Sequence, residues 1–167
     1  MTMVLIILAI LLVVLFVGTA IWRRGELPDS ISAMVYDLPR RKQWAWSAWL
    51  CMVAALLFEP LISATGFLGW LTLALLAGAA LTPVVNPDTR LWHNVCGIAA
   101  GVMSQACVFV ACRPWLLLWT AYILVAGHLY LRPEGWLARH TEHKGVCVAE
   151  IICTASLLGA LATAAMR

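Results

Sequence analysis

Six long apolar runs, at about 2–22, 44–64, 66–85, 92–112, 114–131 and 145–166, occupy nearly the whole chain, and polar residues collect in the short stretches between them. A membrane-crossing helix needs ~20 mostly apolar residues, because each residue adds ~1.5 Å across a ~30 Å hydrocarbon layer. The runs approach that length, the fifth being shorter and more polar than ideal. None shows the ~10-residue alternating segments of a membrane β-barrel. The pattern predicts an all-α polytopic membrane protein: a compact bundle of six transmembrane helices forming a single domain over 1–167, with no soluble domain.

The longest connection, 23–43, has a pattern of its own. Pro28-Asp29-Ser30 reads as a helix start with Asp29 or Ser30 as N-cap. Ile31, Val35 and Leu38 then recur at i, i+4 and i+7 before Pro39 closes the segment. This predicts a short interfacial helix over about 30–38, lying in the interface or dipping against the bundle. It sets Ser30, Ser32, Tyr36 and Asp37 near one mouth of the bundle.

Composition sharpens the class. With 63% apolar and 11% charged residues and a mean hydropathy of +0.93, the chain is unlike a soluble domain. No basic-aromatic surface suits nucleic acid, so the bilayer is the expected partner. The first run has no basic residues before it, and Arg23 and Arg24 follow it, unlike a cleaved signal peptide. It reads as a retained helix with the N-terminus outside the cytoplasm. The cysteines (Cys51, Cys96, Cys107, Cys112, Cys147, Cys153) lie in predicted spans without a CxxC pair, and read as small packing residues.

Basic residues in short loops stay cytoplasmic. Arg23, Arg24, Arg40, Arg41, Lys42, Arg90, Arg132, Arg139 and Lys144 fall on one side, against Arg113 and Arg167 on the other. The net charge of +3 mostly records this asymmetry. It predicts an inner-membrane protein with both termini outside. Trp22, Trp44, Trp46, Trp92 and Trp136 mark the same inner boundary, and Trp70 and Trp115 the outer one. Gly97-x-x-x-Gly101, Ala77 to Ala80 and Ala155-x-x-x-Gly159-x-x-x-Thr163 offer small-residue faces for packing within the bundle, against a partner helix, or in a homo-oligomer.

Ionisable groups inside spans are costly and tend to mark function. His93, His128 and Glu150 all lie within ~10 Å of the cytoplasmic edge at ~1.5 Å per residue, beneath the 30–37 segment, with Asp88 nearby. Two imidazoles and a carboxylate can hold zinc with an open position. They can also bind or pass a proton or small solute, or simply hydrogen-bond in the headgroup zone. No other cofactor is expected. Glu59, before Pro60, lies towards the outer face, where it is expected either to be protonated or to pair with Arg113, and Gln105 falls near mid-membrane. His93, Gln105 and Glu59 would mark a polar path if their helices face one another. His140 and His143 belong to a polar loop. HExxH, Walker and GxSxG motifs are absent.

The stretch Pro28-Asp-Ser-Ile-Ser-Ala-Met-Val-Tyr, with its basic-aromatic lead into the second run, resembles the SIS-x-x-Y-type loop motif of a family of small multi-span membrane proteins of bacteria and phages. A His opening the fourth span (His93-Asn-Val-Cys-Gly) and an acid early in the last (Glu150) extend the likeness. Met34 and Val35 stand where that motif would carry more polar or aromatic residues. The family implies a membrane location and no established activity. A more distant similarity is to seven-span ceramidase-like hydrolases, which gather Ser, Asp and several His at one membrane face. Such a resemblance implies a metal-dependent lipid hydrolase, but a seventh span and a third inner histidine are missing here.

Overall fold

A computed structural model describes residues 1–25, 28–86, 90–131 and 144–167, with the side chains of Ala33 and of 125–131 outside the description. Among the described residues there is no β-strand. The α-helices are α1 (Thr2–Arg24), α2 (Arg40–Thr65), α3 (Phe67–Val85), α4 (Leu91–Cys112), α5 (Leu117–Leu131) and α6 (Gly145–Ala165). Five helical stretches are long and apolar enough to cross a membrane: Thr2–Arg24, Arg40–Thr65, Phe67–Val85, Leu91–Leu124 and Gly145–Ala165. The protein is therefore an all-helical chain with membrane-spanning character.

The fourth stretch is not one straight rod. Pro114 has no N–H to continue the α4 ladder, the backbone becomes extended at Cys112 (φ −163°, ψ 87°), and a 3-10 turn, Arg113–Leu116, follows. Trp119 Nε1 then donates to Gln105 Oε1 at 2.8 Å. Fourteen residues of continuous helix would hold that pair ~21 Å apart, so the chain bends sharply here and brings the start of α5 back towards Gln105. Between α2 and α3 the reversal takes one residue, Gly66, at φ 59° and ψ −126°, a left-handed setting that favours glycine.

Helices α2, α3, α4 and α6 pack around one another, α1 lies against α2 and α6, and α5 lies against α6. The apolar core joins Ile6 and Ala9 of α1, Val53, Leu57 and Leu61 of α2, Leu73 of α3, Cys107 and Val108 of α4, and Leu157 to Leu161 of α6. It fills the half of the bundle where α2 ends and α3 begins. In the other half Gln43, Trp46, Ser47 and His93 are buried beside Met34, Val35 and Ala79. The site follows from that division.

Two expectations change. The 30–38 segment is a turn at Ile31–Ser32 followed by a 3-10 helix, Ala33–Asp37, whose N-cap is Ser32 and not Asp29 or Ser30. Pro39 ends it, and so few residues cannot sustain an α-helical nucleus. It dips inward, with Val35 fully buried and Met34 nearly so. The tryptophans divide as well. Trp22, Trp44, Trp92 and Trp70 are exposed as a belt requires, but Trp46 is only 2% exposed. Trp115 is inserted against α6, where a Cβ at Gly159 would meet its ring at 2.5 Å. Its Nε1 donates to Thr163 Oγ1 at 3.0 Å. The small-residue stripe of α6 thus accepts an indole from its own chain. Gly101 likewise faces Cys153 Sγ of α6, whereas a Cβ at Gly97 meets nothing within 4 Å among the described residues.

Candidate functional site

Glu150 stands one and a half turns into α6, and its carboxylate is the hub of the basic end of the bundle. Ser30 Oγ donates to Oε1 at 2.9 Å, Ile31 N–H to Oε2 at 2.5 Å, and the Ser32 hydroxyl to Oε1. The Ser32 N–H sits over both oxygens at 3.3 and 3.4 Å. The loop answers in kind: Asp29 O accepts from the N–H of Cys147 at 3.1 Å, one of the donors that the first turn of a helix leaves unmet. Lys144 Nζ adds an ion pair to Asp29 Oδ1 at 2.8 Å. The arrangement is a capping box made between distant segments: a loop carbonyl caps the helix while a helix carboxylate caps the loop. This is why the loop forms a turn here instead of the expected α-helical start.

Beneath the loop lies His93. It is 1% exposed and directs Nδ1 at Ala79 O, 2.9 Å away. That contact requires a proton on Nδ1. Tyr36 meets the imidazole edge-on at 5.3 Å between centroids, and Trp46 lies at 5.9 Å. Glu150 is within electrostatic reach of the ring. Among the described residues Trp46 Nε1, Ser47 Oγ and His93 Nε2 are buried without a hydrogen-bond partner of good geometry, with the Ser32 backbone also near the His93 ring. Buried polar atoms are almost always paired, so three orphans in one layer distinguish this level of the bundle from the core beside it.

Above the loop the surface opens into a polar cleft of about 210 Å³, lined by Arg24, Pro28, Asp29, Ser30, Met34, Asp37 and Arg90. Asp37 bridges both arginines, at 3.3 Å to Arg24 Nη2 and 3.8 Å to Arg90 Nη2. The Arg90 guanidinium lies over the Tyr36 ring, 5.1 Å from its centroid. Burial lifts the Tyr36 phenol above its ordinary value, and the Arg90 charge pulls the other way.

The structure therefore brings together Ser30, Ser32 and Glu150 directly, with Tyr36 against His93 and Asp37 on the outer wall. His128 lies in α5 with its side chain outside the description, and Asp88, His140, His143 and Trp136 lie outside the described residues. Among the described residues no group of three His, Cys, Asp or Glu is placed to hold a metal ion, and the Glu150 oxygens face loop donors.

The expected polar path is not a line of contacts. Gln105 is held within α4, α5 and α6: its Nε2 donates to Ser104 Oγ at 3.0 Å and Cys153 O at 3.3 Å. Its Oε1 accepts from Trp119 and from Ser156 Oγ at 3.0 Å. It lies ~18 Å along α4 from His93. Glu59 is exposed and accepts from Thr2 Oγ1 at 2.8 Å, while Arg113 stacks on Phe109 at 4.4 Å. The expected Glu59–Arg113 pair gives way to these contacts because the two residues find nearer partners.

Sequence reasoning missed Arg24 and Arg90 as site residues, having read them as topological charge. Their signal was position: each stands two residues from an interfacial tryptophan, Trp22 or Trp92. It also missed Trp46, assigned to the belt. Three residues, not two, separate Ser32 from Tyr36, so the loop matches the SIS-x-x-Y motif in its residues and not in their spacing. No family model, curated protein or solved structure matches this chain.

Proposed function

We propose that this protein binds a small polar solute or a proton at the cytoplasmic end of a six-span inner-membrane bundle, with the 29–37 loop as the cover of the site. The reading of six spans is supported by the break at Cys112, which separates α4 from α5. The excess of basic residues at the loop end supports a cytoplasmic location for the site and an outside location for both termini.

The observation that carries the reading is the stack of three polar layers at that end. The open cleft is outermost, the Glu150 clasp lies under it, and the orphaned Trp46 Nε1, Ser47 Oγ and His93 Nε2 lie under the clasp. A donor indole and an acceptor imidazole suit a small polar occupant, reached when the clasp opens. Binding is favoured over passage, because Gln105 is saturated within the bundle and the outer half is an apolar core.

The test is a thermal-shift panel of phosphates, carboxylates, amines and sugars on detergent-purified protein, wild type beside Glu150→Gln. A solute that raises the wild-type midpoint and leaves the variant unmoved supports the site. If no class of solute shifts the wild type, and proton uptake by liposomes containing it equals that of empty liposomes, the reading fails.

A further inference from the structure

Arg24 and Arg90 come from the end of α1 and the residue before α4, far apart in sequence, and both converge on one wall of the cleft. Each gives a single Nη2 to Asp37, whereas a guanidinium carries five N–H donors in a planar fork. Most of that donor capacity is not directed at Asp37. The Arg90 side chain is half exposed at 59% and rests on the Tyr36 ring, which fixes its plane. Ser30 also lines this wall, its hydroxyl already given to Glu150.

Depth is the second, independent indication. Trp22 and Trp92 are 81% and 60% exposed and mark the interfacial belt. Arg24 and Arg90 each lie two residues beyond them, ~3 Å further from the hydrocarbon at the rise of a helix. That is where lipid phosphates lie. Asp37 is the carboxylate that both guanidinium groups share on this wall. Paired guanidinium forks suit the geometry of a phosphate group.

The geometry points to the Arg24–Arg90 cleft as a site for a phosphate group, carried on a lipid headgroup or on a soluble phosphate, for which Asp37 is the internal competitor. This rests on the reading of the basic-end cleft as a solute site and names its ligand class. Asp37 gives the assignment an unusual sign. Removing its charge frees both forks, so Asp37→Asn tightens phosphate binding, where a merely damaged site would bind less.

The experiment uses the full chain in a phosphate-free maltoside detergent. Glycerol phosphate is titrated by calorimetry, and phosphatidylglycerol against uncharged diacylglycerol is compared by native mass spectrometry. Wild type holds a phosphate-bearing probe, Arg24→Gln and Arg90→Gln each weaken it at least tenfold, Asp37→Asn strengthens it several-fold, and Arg41→Gln leaves it unchanged. Retention of both probes assigns soluble phosphate as sufficient; retention of phosphatidylglycerol alone assigns the headgroup. The assignment is overturned if wild type holds neither probe, if Asp37→Asn weakens binding, or if Arg41→Gln is as damaging as Arg24→Gln. Should a solute without phosphate bind and be released by Glu150→Gln, the phosphate assignment falls and the solute site stands. If nothing binds at all, both fall.

Discussion

Among single residues, Glu150 has the largest consequence. A part-buried carboxylate accepting from two hydroxyls and two backbone N–H groups cannot be truncated cheaply, because the Ile31 and Ser32 amides would lose their partner in a region with little water. Hydrogen bonds to charged groups contribute ~1.5–3 kcal/mol, and stranded donors add ~1–3 kcal/mol. Glu150→Ala should therefore cost about 2–4 kcal/mol in reversible unfolding and raise amide hydrogen exchange across 29–37. Glu59→Ala, which loses one exposed bond to Thr2, should cost under ~1 kcal/mol; equal costs for the two would contradict the clasp. Tyr36 provides a spectroscopic check. Its phenol is raised by burial, so in a 295 nm titration one tyrosine should ionise above the usual value of ~10, and Tyr36→Phe should remove that step. For an acid whose folded value is raised, the associated stability is complete below the unfolded value and declines as pH climbs through the folded one. Glu150, Ser30 and Ser32 were legible from sequence because a carboxylate within a span must find partners. Arg24 and Arg90 were not, since a site cation and a topological cation are the same residue type.

Among the elements, the contacts of two glycines on neighbouring helices predict opposite outcomes. A Cβ at Gly159 would sit 2.5 Å from the Trp115 ring, while one at Gly97 meets nothing among the described residues. Gly159→Ala should force Trp115 out and cost about 1–3 kcal/mol. Gly97→Ala should be neutral or stabilise by up to ~1 kcal/mol through helix propensity. Unfolding midpoints of the two variants test this directly, and a destabilised Gly97→Ala would show that its face is covered in the membrane. Gln105 ties three helices together, and membrane hydrogen bonds average ~0.6 kcal/mol each. Gln105→Leu should thus lower stability by about 1–3 kcal/mol without altering solute binding at the basic end. Periodicity announced the helices well. It misjudged 30–38, where the i, i+4, i+7 spacing was real but the segment's backbone donors were claimed by a helix more than a hundred residues away.

The whole molecule is organised by an asymmetry between its ends. One half is built on a core of Ile, Leu, Val, Ala and Cys, and the other holds the buried Gln43, Ser47 and His93 and most of the charge. With the loop end cytoplasmic, a cysteine at Arg41 should react with a membrane-impermeant maleimide only after the inner face is opened. A cysteine at Arg113 should react in intact cells. The reverse pattern would invert the bundle and move the proposed site to the opposite face.

What the sequence determined by itself is whatever each segment settles alone: helical character, stretches long and apolar enough to cross a membrane, and the positions of Glu150, His93 and Gln105 along their helices. Those follow from hydropathy and from a fixed rise per residue, which need no knowledge of neighbours. Which faces meet is a different matter, because rotation about a helix axis is set by packing between helices. Only the tertiary structure decided that Glu150 turns to the Ser30–Ser32 loop, that Trp46 leaves the belt for His93, that Gln105 is consumed inside the bundle, and that Arg24 and Arg90 share a cleft.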